Sequence, residues 1–233
     1  MNQDLEKGME ALRNGEFILV YDNDEREGEV DMIIASEFVT PKSVATMRDY
    51  AGGLICNCIH PLYCDAIGLP FMNEIMNAAS DKYPVLKTLA PNDIPYDERS
   101  SFSIWVNHRK SFTGVTDHDR AMTISEMAKM LKEERYDDFG KTFRSPGHVC
   151  LLRGAEALLA NRSGHTEIGL AMCIMAGVTP VCVVCEMMDS ETGQATSFED
   201  AKKYAEENGL VILKGDDIID AYLNECDYSE FTI

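Results

Sequence analysis

The sequence reads as an α+β chain, a mixed β-sheet covered by helices in a three-layer α/β/α arrangement. Three observations carry this reading. Short apolar runs with strand character alternate with stretches whose apolar residues recur at helical spacing. The first two such runs, 17–21 and 30–35, are joined by a charged turn with no helix between them, so they should pair antiparallel within a sheet otherwise built from strand–helix alternation. No internal repeat, and no linker rich in Pro, Gly or Ser, divides the 233 residues, so one domain over 1–233 is expected.

Each element has its own local cause. Leu5, Met9 and Leu12 stand at i, i+4 and i+7, a first amphipathic helix that Asn14-Gly15 should end. Residues 17–21 and 30–35 follow as strands. Thr40-Pro41 places a cap before a proline at the first helical position, which predicts a helix to about Ala51. Residues 54–59 form a third strand and 61–67 a short helix. From 71 to 100 the pattern weakens under Pro84, Pro91 and Pro95, and a long excursion loop is expected. A strand over 102–106 comes next. Thr123-Ile-Ser-Glu126 reads as a capping box opening a helix to about Arg135. A strand over 149–152, an apolar helix over 166–176 and a buried strand over 180–187 follow. Ser197-Phe-Glu-Asp200 opens a helix that stops at Asn208-Gly209, and a last strand (210–213) and helix (216–223) close the pattern.

The chain is 45% hydrophobic and 26% charged, ordinary globular values that exclude a disordered tail, a collagen-like fibre and a coiled coil. At this length roughly 70–75% of the extended surface is buried on folding, so neither disulfides nor a structural metal are needed. Lys and Arg number 21 against 40 Asp and Glu, a net charge of −19. Such a surface repels a polyphosphate, and no basic stripe interrupts it, so no nucleic-acid partner is expected. A few converging arginines could still hold a small phosphorylated molecule. The first residues lack the basic start and apolar core of a signal peptide, and no run approaches the ~18 residues of a membrane span. A cytoplasmic chain with its eight cysteines reduced is the expectation. Cys182 and Cys185 sit three apart in a strand and should face opposite sides of the sheet, not a zinc ion. Cys56 and Cys58 share a strand face, a poor geometry for a disulfide.

Five segments could carry chemistry. In Asp22-Asn-Asp-Glu-Arg26-Glu27-Gly28-Glu29-Val30-Asp31 three carboxylates are spaced by two, so an extended backbone would present them together to a hard divalent cation or let them raise one another's pKa. A solvated hairpin turn explains the same charges, although Asp31 runs straight into Met-Ile-Ile-Ala. Arg162-Ser163-Gly164-His165-Thr166-Glu167 stands where a helix begins, an anion site with a forked cation and an imidazole, or an ordinary cap. Arg144-Ser-Pro-Gly-His148 delivers a histidine to a strand start, where it could be structural or merely solvated. Phe112-Thr113-Gly114 is a hydroxyl-rich turn and weak by itself. Glu186 ends an apolar strand, at the end of a sheet where ligands gather.

Taken in order, Asp-Glu-Arg-Glu-Gly-Glu at 24–29, Ala-Gly-Gly-Leu-Ile-Cys at 51–56, Phe-Thr-Gly at 112–114, Asp-Arg-Ala at 119–121, Arg-Ser-Pro-Gly-His-Val at 144–149, Gly-His-Thr-Glu at 164–167 and Cys-Glu-Met at 185–187 closely resemble the 3,4-dihydroxy-2-butanone-4-phosphate synthases of riboflavin biosynthesis. The likeness runs over nearly the whole chain. Segment 82–111, with Asn92-Asp-Ile-Pro-Tyr96, looks like the longer archaeal-type members, and no cyclohydrolase domain follows, which points to a monofunctional form. The resemblance implies conversion of D-ribulose 5-phosphate to formate and L-3,4-dihydroxy-2-butanone 4-phosphate by a homodimer using Mg²⁺ or Mn²⁺, two ions per subunit. It implies that Glu27 and His165 hold metal, and that Arg26, Glu27, Asp31 and the run Arg162, Ser163, Gly164, His165, Thr166 bind substrate together with Glu186. His148 and Glu186 would be needed for catalysis, and Cys56 and Thr113 would lie near the site. Asp31 or Glu29 is the carboxylate placed to move protons. Two rivals remain: a metal-dependent sugar-phosphate isomerase, which would release no formate, and a non-catalytic phosphate sensor, which leaves the acidic cluster unexplained.

Overall fold

The computed structural model describes residues 2–89 and 93–225. Pro91 and Asn92 lie outside the described residues. The strands are β1 (Ile18–Tyr21), β2 (Val30–Ala35), β3 (Cys56–Ile59), β4 (Phe102–His108), β5 (Phe143–Arg153), β6 (Val181–Glu186) and β7 (Val211–Lys214). The helices are α1 (Gln3–Arg13), α2 (Pro41–Thr46), α3 (Pro61–Ile67), α4 (Met72–Ala79), α5 (Asp117–Lys132), α6 (Phe139–Thr142), α7 (His165–Ala176), α8 (Phe198–Asn208) and α9 (Gly215–Glu225). The strands form one sheet in the order β4-β5-β3-β6-β2-β1-β7. β1 pairs antiparallel with β2 as their short connection requires, while β1–β7 and β3–β5 are parallel, so the sheet is mixed.

Strand alternation splits the core in two. Met32, Ile34, Leu151, Val183 and Cys185 face α2, α3, α5 and α8, whereas Ile18, Ile33, Cys58, Cys182 and Val184 face α1, α7 and α9. This is the expected three-layer arrangement. It also puts Cys182 and Cys185 on opposite faces, and Cys56 and Cys58 on the same one, both as free thiols.

Several local expectations need correction. Thr123 does not open α5. Thr116 does, its side chain accepting from the Asp119 N–H. Thr123 is buried mid-helix, donates to the Asp119 carbonyl and accepts from the His108 N–H, so its hydroxyl fastens helix to strand. The excursion over 71–100 is not one loop: it contains α4, on which the Glu74 carboxylate accepts from the Phe71 N–H, and a 3-10 stretch over Pro84–Leu89. No residue of either is buried; Met72, Ile75, Met76 and Ala79 of α4 do recur at helical spacing, but they stay half-buried or exposed. The strand read over 149–152 extends back to Phe143, because β4 pairs with its first half. The helix expected from Thr40 to about Ala51 does reach Ala51, as α2 followed by a wider π turn over Met47–Ala51, which Gly52 ends in the left-handed region.

Candidate active site

The 22–29 turn is organised by Asp22. Its buried carboxylate accepts from the N–H groups of Glu27 and Glu29, at 3.0 Å each, and from Arg26 Nη1 at 3.3 Å. Gly28 turns the chain at φ +65°, a conformation that favours glycine. Glu27, Glu29 and Asp31 therefore do not leave one extended strand, as alternation alone suggested. A turn delivers the first two and β2 delivers Asp31.

Val20, Asp31 and Glu186 are successive partners across β1, β2 and β6, so they form one row of the sheet. The first residue of α7 closes over this row. His165 Nε2 lies 3.2 Å from the Val20 carbonyl, and its Nδ1 lies 3.3 Å from Glu27 Oε2 and 3.6 Å from Asp31 Oδ1. A carbonyl only accepts, so Nε2 carries the hydrogen and Nδ1 faces two carboxylates. A cation must sit between them, either a proton or a metal ion. Without an ion, burial would lower the His165 pKa, but Asp31 and the hydrogen bond to Glu27 overcome this and raise it to about 9. Burial raises Asp31 to about 7, with Glu186, Glu27 and Glu29 adding to the rise and His165 opposing it. Asp31 Oδ1 is buried without a hydrogen-bond partner. Burial also raises Glu29, reinforced by Glu27 and Glu186. For Glu27 burial is outweighed by the His165 hydrogen bond and the Arg26 charge, and its pKa falls. Ligand atoms of Asp22, Glu27 and His165 lie within 4.8 Å of one another. A mixed carboxylate–imidazole set beside an orphaned carboxylate oxygen fits a divalent cation.

Beside this set lies a cationic pair. Arg26 also contacts Glu27 Oε1 at 2.9 Å, and Arg162 pairs with the fully buried Glu167, whose other oxygen accepts from the Ala155 N–H. Gly164 caps α7, and a Cβ there would come within 2.3 Å of Arg162 Nη1 and 2.8 Å of Arg26 Nη2. Glycine is thus what lets both guanidinium groups reach the helix start. Ser163 is half-buried and Thr166 buried on the same segment.

Glu186 is half-buried at the end of β6, and Oε2 accepts from the Leu54 N–H at 2.7 Å. Gly53 permits this, since a Cβ there would lie 2.4 Å from the same oxygen. Cys56 is buried one pair further in, opposite Cys150, and its hydrogen bond to Cys150 together with burial holds its thiol protonated. His148 lies two residues before Cys150 on β5, exposed, at the level of Leu54 and Glu186 but two strands away, about 10 Å along the sheet. Asn107 ties it down. The Asn107 side-chain carbonyl accepts from the His148 N–H at 2.8 Å, and its amide donates to the Thr113 carbonyl at 3.5 Å. The expected residues thus fall into two groups. One is Arg26, Glu27, Glu29, Asp31, Glu186 and 162–166; the other is His148 and Thr113. Sequence reasoning missed Asp22, Asp97, Glu167, Gly53 and Asn107. Asp22 and Glu167 were inside the segments singled out, but nothing in the spacing separates a turn organiser or a buried counter-ion from a ligand.

A helix start with two arginines, next to an oxygen-rich cation set on a sheet end, defines a metal-assisted enzyme acting on a phosphorylated small molecule. The family model for 3,4-dihydroxy-2-butanone 4-phosphate synthase matches residues 6–221. The chain belongs to that family, the lyases of riboflavin biosynthesis. It is 51% identical to the 3,4-dihydroxy-2-butanone 4-phosphate synthase of Methanothermobacter thermautotrophicus, over 94% of this chain and 96% of that one. It is 47% identical to the synthase of Archaeoglobus fulgidus, over 94% of each. A crystal structure of a 3,4-dihydroxy-2-butanone 4-phosphate synthase in complex with two magnesium ions superposes with a TM-score of 0.75 at 29% identity, over 95% of this chain and 97% of that one. No helix among the described residues is long and apolar enough to cross a membrane.

Proposed function

We propose that this chain, as one catalytic domain acting as a cytoplasmic homodimer, converts D-ribulose 5-phosphate to L-3,4-dihydroxy-2-butanone 4-phosphate and formate. The observation that carries this reading is the paired arrangement of His165 Nδ1 against Glu27 and Asp31, with Arg26 and Arg162 at the start of the same helix. Arg26, Arg162 and the α7 N-terminus hold the phosphate and so fix the reacting end of the sugar over the acidic row. Glu27 and His165, with Asp22 adjacent, would hold Mg²⁺ or Mn²⁺, two ions per subunit. When bound, a divalent cation offsets negative charge developing on neighbouring substrate oxygens. Burial raises the Asp31 carboxyl to about 7 and raises that of Glu29 above the usual carboxylate range, which suits removal and return of protons beside a carbonyl. Glu186 holds its carboxylate at the end of the same row, oriented by the Leu54 N–H, for a further proton transfer. Cys56 packs beneath this row, and Thr113 and His148, joined through Asn107, form a second group about 10 Å along the same sheet.

The test is product analysis. Incubation with ribulose 5-phosphate and Mg²⁺ should release formate in a 1:1 ratio with the four-carbon phosphate. Exhaustive chelation should abolish turnover, and Mg²⁺ or Mn²⁺ should restore it. An isomerised pentose phosphate without formate would replace the lyase reading with an isomerase.

A further inference from the structure

Both arginines at the α7 start already face an anion. On its inner side each is committed to acids of the scaffold, Arg162 to Glu167 and Arg26 to Asp22 and Glu27. Their remaining donors converge on one atom, Asp97 Oδ2, with Arg162 Nε at 2.7 Å, Arg162 Nη2 at 2.6 Å and Arg26 Nη2 at 3.2 Å. Asp97 belongs to 93–100, a stretch with no helix or strand of its own. It is seated by side chains. The Tyr96 ring lies 5.4 Å from the Arg26 guanidinium, and Arg99 stacks 4.0 Å over Phe71. Asp97 also lines, with Phe71, Arg99 and Arg153 among others, a cavity of about 860 Å³.

We propose that Asp97 is a built-in competitor of the substrate phosphate: its carboxylate occupies the anion position of the Arg26–Arg162 pair, and a phosphate takes that position only by displacing it. This rests on reading the pair as the seat of the phosphate. A carboxylate brings one negative charge to two guanidinium groups. A phosphate dianion brings nearly two, with more acceptor oxygens for the same donors, and so prevails. A neutral hydroxymethyl group offers neither and leaves Asp97 in place. Asp97 therefore lowers affinity for phosphate ligands by the cost of its own displacement, and keeps both guanidinium groups paired when none is bound.

The test is calorimetric titration of inorganic phosphate into the full chain at pH 8. Asp97→Asn keeps the shape and removes the charge, and Asp97→Ser removes the reach as well. Both should tighten phosphate binding by about ten- to a hundredfold, and the KM for ribulose 5-phosphate should fall in step. Glu98→Gln, the same charge change at the exposed neighbour, should shift binding by less than about threefold, as expected for a screened surface charge. Arg162→Lys keeps a cation beside Glu167 but loses the fork, and should weaken phosphate about tenfold. If Arg162→Lys weakens phosphate while neither Asp97 variant tightens it, the competitor role falls and the phosphate site stands. If Arg162→Lys has no effect, the phosphate lies elsewhere and both readings fall.

Discussion

Glu186 and Arg162 are both charged groups of the site, but the structure separates what each substitution would reveal. Glu186 meets the backbone through one hydrogen bond, from the Leu54 N–H. Arg162 and Arg144, its conceivable cationic partners, are engaged with Glu167 and Asp97 and with the carbonyls of Arg109 and Ser111. A glutamine at 186 can still accept that bond, so Glu186→Gln should melt within a degree or two of wild type, roughly the effect of a few tenths of a kcal/mol. It cannot carry a proton, so formate production should fall about 10²–10⁴-fold. A normal rate in a stable variant would remove Glu186 from the chemistry. Arg162→Ala is different, because it strands Glu167, whose side chain is 0% exposed, without its cation. Breaking a buried pair from one side typically costs about 3–5 kcal/mol. Thermal melts should show this loss, and adding Glu167→Gln should recover most of it without restoring substrate affinity. Were the single variant as stable as wild type, water would be reaching Glu167 and the pair would not be structural.

His60 ends β3 and caps α3, and the cap makes the helix start a pH-dependent element. Its Nδ1 accepts from the Leu62 N–H at 3.3 Å, which requires the neutral ring, and burial lowers its pKa from 6.5 to about 4. The folded state thus resists a proton that the unfolded chain accepts. The resulting stability is complete above pH 6.5, erodes as pH falls, and is gone below about 4. At ~1.4 kcal/mol per tenfold difference in proton affinity, wild type should lose about 2–3 kcal/mol between pH 7.5 and 4.5 through this residue. Asparagine caps without titrating. Urea unfolding of His60→Asn should therefore show a loss smaller by that amount, and identical pH slopes would assign the acid sensitivity to other groups. Local signals of this kind were legible in the sequence: Thr40, Ser197 and the Pro61 start all mark real helices. What was not legible depends on partners distant in sequence. Thr123 looks like a cap until His108 is seen to use its hydroxyl. In the site, the acidic run and the Gly-His-Thr-Glu start were readable as segments. That His165 reaches Val20, 145 residues away, is a consequence of where the first turn of α7 meets the sheet, which no local pattern encodes.

Across the whole molecule, a net charge of −19 should keep subunits apart unless a specific apolar contact overrides it. The loop after β4 offers one. Phe112 is 93% exposed and Val115 52%, on a turn that is firmly built. Asp119 accepts from the Gly114 N–H at 2.8 Å, Gly114 holds φ +90°, and a Cβ there would lie 2.1 Å from the Asn107 amide. A lone exposed phenylalanine is unremarkable on a mobile loop. On a loop fixed by a helix cap and a buried asparagine it is displayed, at no further ordering cost on association. The homodimer implied by the family resemblance should therefore use this loop. Light scattering should give a mass near twice the chain's 26.0 kDa for wild type. Phe112→Glu, which places a charge at the contact, should shift the mass to that of the single chain. Leu223→Glu, an equal change at a 42% exposed position on α9, should leave the dimer intact. A dimer that survives Phe112→Glu would move the interface to another face, and a monomeric wild type would end the homodimer reading altogether.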